Sequence, residues 1–155
     1  MKYIWVISGW INLPDFYCMP LTVLLAAFFT LAAMMKAYKL YTGEDGHSHI
    51  QTGTVSQGII NQATSIRFQE SPPHSFYDWH NAPTEQYVIT LSGTLEFETR
   101  PGETFIIKPG DLLIALDTTG TAHKWKLIDD QPWKRIYVAF DPSQINFIPD
   151  HEPQL

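Results

Sequence analysis

From residue 54 to residue 140 the chain is cut into short runs rich in Val, Ile, Thr, Phe and Leu, and no stretch has the period of a good amphipathic helix. The runs fall at 54–60, 63–69, 76–80, 86–91, 94–99, 104–107, 112–116, 123–128 and 133–140. Turn formers separate them: Ser71-Pro-Pro73, Ser92-Gly93, Arg100-Pro-Gly-Glu103, Lys108-Pro-Gly-Asp111 and Asp129-Asp-Gln-Pro132. Eight or nine strands with a turn signal at intervals of roughly 8–12 residues predict an antiparallel sandwich or barrel. Closing such a sheet hides its edges and creates an interior lined by alternate residues, wide enough for one small ligand.

Composition narrows the function. The 155 residues suit one domain with a real core, and 14% aromatic against 17% charged content excludes a disordered polar chain. The net charge of -6, without a run of Lys or Arg, argues against binding a phosphate backbone, so no nucleic-acid partner is expected. The single cysteine, Cys18, permits neither a disulfide framework within the chain nor a cysteine-rich metal site. All six histidines lie after residue 45.

Residues 1–35 read differently. Residues 16–35 form a 20-residue stretch without a charge, long enough as a helix to cross a hydrocarbon core of about 30 Å. Lys36 and Lys39 follow it, favouring a cytoplasmic C-terminal side. Three readings fit this hydrophobic, helical segment. It is a membrane anchor, a secretory signal peptide cleaved near Ala32-Ala33, or an extension upstream of a true start at Met35. The last makes the protein cytoplasmic; the others make it membrane-anchored or exported. The domain proper then spans 36–155. Its opening carries a turn at Gly43-Glu-Asp-Gly46 and an alternate pair, His47-Ser-His49, read either as ligands or as polar surface.

Two stretches carry candidate chemistry: Asp78-Trp-His80 with Gln86 and Gly93, and Pro109-Gly-Asp111 with Gly120-Thr-Ala-His123. On these residues the region 77–140 resembles a small single-domain bacterial cupin of the RmlC-like jelly-roll superfamily. In that family a His-x-His pair, a Glu seven residues before a Gly, and a Gly-x-x-His bind a metal. The resemblance implies an all-β, cupin-type antiparallel jelly-roll barrel and a homodimer. It implies a divalent metal (Fe, Mn, Ni or Zn) held by Asp78, His80, Gln86 and His123. Asp78 stands for the first His and Gln86 for the Glu, which leaves one carboxylate and two imidazoles, the composition of a facial triad. Glu85 competes with Gln86 for the inward position, and the count to Gly93 favours Gln86.

Parity sketches the pocket wall. Gln86, Val88 and Thr90 share one strand face, and His123 shares one with Trp125 and Leu127, leaving Lys124 and Lys126 outside. Tyr77, Trp79 and Tyr87 fall outside as well. Arg135 and Tyr137 alternate with Ile136 and Val138. With the first pair inward, Arg135 meets an anionic substrate and Tyr137 donates a hydrogen bond; with the second, both lie on the surface. The function expected is metal-dependent oxygenase, isomerase or lyase chemistry on a small molecule. The alternative is a metal-free cupin that binds or senses a small ligand.

Overall fold

In a computed structural model of the chain, residues 35–151 are described. The hydrophobic segment before Met35, with its anchor and signal readings, lies outside them. Among the described residues no helix is long and apolar enough to cross a membrane. Eleven strands follow in order: β1 (Met35–Thr42), β2 (Ser48–Val55), β3 (Ala63–Ser71), β4 (Phe76–His80), β5 (Gln86–Ser92), β6 (Leu95–Thr99), β7 (Thr104–Ile107), β8 (Leu112–Ala115), β9 (His123–Leu127), β10 (Trp133–Phe140) and β11 (Ile148–Pro149). A 3-10 turn, Pro142–Gln144, is capped by the Asp141 side chain accepting from the Ser143 amide.

The strands make two sheets. One has seven strands in the order β11-β2-β1-β8-β5-β10-β3, the other four in the order β4-β9-β6-β7. Together they form the jelly-roll barrel, antiparallel throughout except that β1 runs parallel to β8. The expected strand at 54–60 is displaced. The strand ends at Val55 and begins at Ser48, because all eight residues of β2 pair with β1 and Gly58 turns the chain with φ +80°.

The core lies between the sheets. Tyr38, Leu40, Val88, Leu95, Phe97, Phe105, Ile107, Leu113, Leu127 and Trp133 form one buried cluster. A second cluster, Ala37, Tyr87, Leu112, Ile114 and Phe140, covers the opposite face of the large sheet under Ile145 and Phe147. This explains β8, whose four residues are all buried: Leu113 packs into one cluster, Leu112 and Ile114 into the other. On the outer face of the small sheet two ion pairs cross adjacent strands. Glu96 pairs with Lys126 at 2.7 Å and Glu98 with Lys124 at 3.0 Å, directly across β6 and β9. The Ser92-Gly93 turn is tight: a Cβ on Gly93, whose φ is +86°, would lie 2.9 Å from Leu127 Cδ1 and 3.1 Å from the Trp133 Cα.

Candidate functional site

The open end of the barrel holds a cavity of about 510 Å³. His80 at the end of β4 and His123 at the start of β9 are cross-strand partners, with ring centroids 4.3 Å apart. Each ring is fixed through Nδ1. That of His80 lies 2.6 Å from the Asp78 carbonyl oxygen, which only accepts, so the proton sits on Nδ1 and Nε2 keeps its lone pair. Burial lowers the His80 pKa, the Asp78 carbonyl opposes this, and the neighbouring His123 adds to the lowering.

The Nδ1 of His123 donates to Oδ2 of Asp117 at 2.7 Å, and the same oxygen accepts from Ser48 Oγ at 3.0 Å. Asp117 is fully buried, and its Oδ1 has no hydrogen-bond partner among the described residues. The loop carrying it is pinned to the end of β4: Asn81 Nδ2 donates to the carbonyls of Asp117 at 3.1 Å and Thr119 at 2.6 Å. Ala122 enters β9 with φ +76°, the backbone turn that aims His123 inward.

Gln86, 6% exposed, lines the cavity from β5, and Trp125 continues its wall from β9. From β10 come Arg135 and Tyr137, with Arg67 of β3 beside them. Arg135 is 3% exposed and its guanidinium lies 3.7 Å over the Trp133 ring. Its Nε donates to Tyr137 Oη at 2.7 Å, and its Nη1 to Ser71 Oγ at 3.0 Å and the Trp133 carbonyl at 3.3 Å. Burial lowers its pKa, Tyr137 raises it and Arg67 lowers it further.

The sequence-expected residues are thus only partly brought together. His80, Gln86, His123, Trp125, Arg135 and Tyr137 line one cavity. Asp78 does not join them. It is exposed, its Oδ1 accepts from the Trp79 amide at 2.8 Å, and it lines a separate recess with Glu96, Glu98 and Lys126. The reason is a register shift in β4 between Tyr77 and His80, which breaks the alternation that would have set 78 and 80 on one face. The same shift brings Tyr77 into the lining, against the parity reading; its ring packs on His80 at 4.1 Å. Thr90 is also outside the cavity, buried in the core and accepting from Trp133 Nε1 at 3.2 Å. His47 and His49 form no ligand pair. His47 meets Thr121 Oγ1 at 3.0 Å, while His49 sits between Asp45 and Glu103. Asp117 was hidden by its place in a loop, where strand parity says nothing; the spacing Asp117-Thr-Thr-Gly-x-x-His123 was its only trace.

Among the described residues no group of three His, Cys, Asp or Glu side chains is placed to hold a metal ion. Among the described residues, the side chains lining the cavity that could serve as ligands are two imidazoles, three neutral amides (Gln69, Asn81 and Gln86) and hydroxyls, and the nearby carboxylate of Asp117 lies behind His123. This set does not fit the four-ligand metal site the resemblance implies.

A two-sheet jelly roll enclosing a polar, aromatic cavity defines a cupin-type ligand-binding domain. Residues 62–155 match the AraC-like ligand binding domain family, and the chain belongs to that family. A curated relative, the Oryzines biosynthesis cluster protein J of Aspergillus oryzae (strain ATCC 42149 / RIB 40), is 26% identical over 88 residues. The alignment covers 56% of this chain and 48% of that protein, so the chain spans about half the length of the curated relative it matches. Among solved structures, it is similar to a DUF861-family protein from Thermotoga maritima (27% identity, 48% of this chain and 77% of that one, TM-score 0.41). A cupin domain from Bordetella pertussis Tohama I is also similar (20% identity, 54% and 88% coverage, TM-score 0.41).

Proposed function

We propose that this chain is a small-molecule-binding cupin whose cavity holds its ligand by hydrogen bonds and ring contacts, without a metal. The observation that carries the reading is the make-up of the wall: two fixed imidazoles, three amides and two guanidiniums among aromatic rings, with no carboxylate among the described lining residues. Full-length protein stripped with EDTA is expected to retain ligand-induced stabilisation, read as a rise in Tm across a fragment panel. The proposal fails if stabilisation appears only after Fe, Mn, Ni or Zn is restored at one equivalent and vanishes in His123→Ala.

One observation favours a catalytic second reading. A carboxylate that orients an imidazole is the arrangement of a general base, and Asp117 orients His123 in this way. Turnover of a bound ligand that His123→Gln abolishes would replace the binding reading with an enzymatic one.

The homodimer implied by the resemblance belongs to the same proposal. β1 lies inside its sheet, between β2 and β8, whereas β3 ends its sheet with Ile66 59% and Phe68 75% exposed. The β3 edge is therefore the surface on which a second copy would pair.

A further inference from the structure

We propose that the ligand of this cavity is a small organic carboxylate with a flat apolar body, its carboxylate received by Arg135 and Tyr137. The inference rests on the binding reading above and adds the chemical class. It begins from a charge without a counter-charge. The protein carries a net charge of -6, yet among the described residues the cavity lining contains two arginines and not one Asp or Glu. Arg135 is nearly inaccessible, and among the described residues its partners are all neutral: Tyr137, Ser71, the Trp133 carbonyl and aromatic faces. A guanidinium withdrawn from water without an anion is costly, and the cost falls when an anion enters beside it.

The hydrogen-bond count shows where that anion goes. A guanidinium has five N–H donors. The one on Nε and the two on Nη1 are taken, so among the described residues both Nη2 donors remain without a partner. The Tyr137 hydroxyl accepts from Nε, which leaves its own proton for another acceptor. Nη2 and Tyr137 Oη are thus two neighbouring donors for the two oxygens of a carboxylate. Arg67 stands at the same end with its guanidinium 4.3 Å over the Tyr137 ring and adds a second positive charge.

From this end the wall is aromatic. The Arg135 guanidinium lies 5.8 Å from the Trp125 ring, Trp125 lies 6.3 Å from Tyr77, and Tyr77 packs on His80. A flat ring is the body such a wall accepts. At the far end the Nε2 lone pair of His80 is an acceptor, so a hydroxyl or amino group there completes the match. The cavity therefore selects a planar acid with an anion at one end and a donor at the other.

The test is isothermal titration of the full chain with benzoate, 4-hydroxyphenylacetate and 3-(4-hydroxyphenyl)propanoate, with the matched primary amides, and with inorganic phosphate. At least one acid is expected to bind, and its amide to bind weaker by about 30-fold or more, the loss that follows an unpaired buried charge. Arg135→Met is expected to lose the acid by a similar factor and to bind acid and amide alike. The acid-to-amide ratio in the unsubstituted protein decides the matter even if that variant does not fold. Equal affinity for acid and amide overturns the inference but keeps the binding reading. Preference for phosphate also overturns it, by exchanging the carboxylate for a tetrahedral oxyanion. Binding of neither acids nor amides overturns both.

Discussion

Removing Asp117 tests whether the buried polar cluster behind the cavity holds the site together. Its Oδ2 accepts two hydrogen bonds, from His123 Nδ1 at 2.7 Å and Ser48 Oγ at 3.0 Å, and all three residues are buried. Hydrogen bonds accepted by a carboxylate contribute about 1.5–3 kcal/mol each. Part of this is returned, because Oδ1 is buried without a partner among the described residues and its desolvation is relieved on removal. Asp117→Ala is therefore expected to destabilise by about 3 kcal/mol. With a urea m-value of about 2 kcal/mol/M, the unfolding midpoint falls by about 1.5 M. Asp117→Asn keeps the shape and costs about 1–2 kcal/mol, because an amide serves only one of the two donors well. It also frees the His123 tautomer, visible as a change in the imidazole nitrogen shifts by NMR. An Ala variant within about 0.5 kcal/mol of the parent, at unchanged m, would refute the view that this carboxylate organises the site.

Four further outcomes follow from the geometry. Gly120→Ala is expected to cost about 1–3 kcal/mol, since φ is +87° and the added Cβ would lie 2.9 Å from the Gly46 carbonyl oxygen; urea unfolding measures it. Trp79→Ala, which removes ring contacts with Arg100 at 3.9 Å and Lys124 at 4.6 Å, should cost about 0.5–1 kcal/mol and leave ligand affinity unchanged. Burial works against the charge of His49, but its hydrogen bond to Asp45 and the nearby Glu103 outweigh this and raise its pKa. That stabilisation is complete below about pH 6.5 and is lost as pH rises through the raised folded value. A thermal melt series should show the loss in the parent and not in His49→Gln. Sedimentation should give a dimer for the full chain and a monomer for Phe68→Lys if copies pair along β3.

What the sequence disclosed and what it concealed divide along one physical line. The eight strands β3 to β10, their turns and the inward placement of His80, Gln86, His123 and Trp125 follow from local alternation, and the structure sets these side chains around one cavity; β1 and β11 are not among the strands the sequence predicts. Parity holds only while the ladder is unbroken. The shift between Tyr77 and His80 exchanges the two faces of β4, sends Asp78 outward and brings Tyr77 in. On β10 the residue pattern alone left two faces open. Pairing with β5, which shifts between Lys134 and Arg135, turns Arg135 and Tyr137 toward the cavity. Asp117 lies in no strand at all, and only the fold brings it, across a separation of 69 residues, to Ser48. These departures change the chemistry together. The carboxylate expected in front of the imidazoles stands behind one of them, and the cation left open to the surface faces the cavity. A site read as cation-binding becomes, with those two exchanges, the anion-receiving site proposed above.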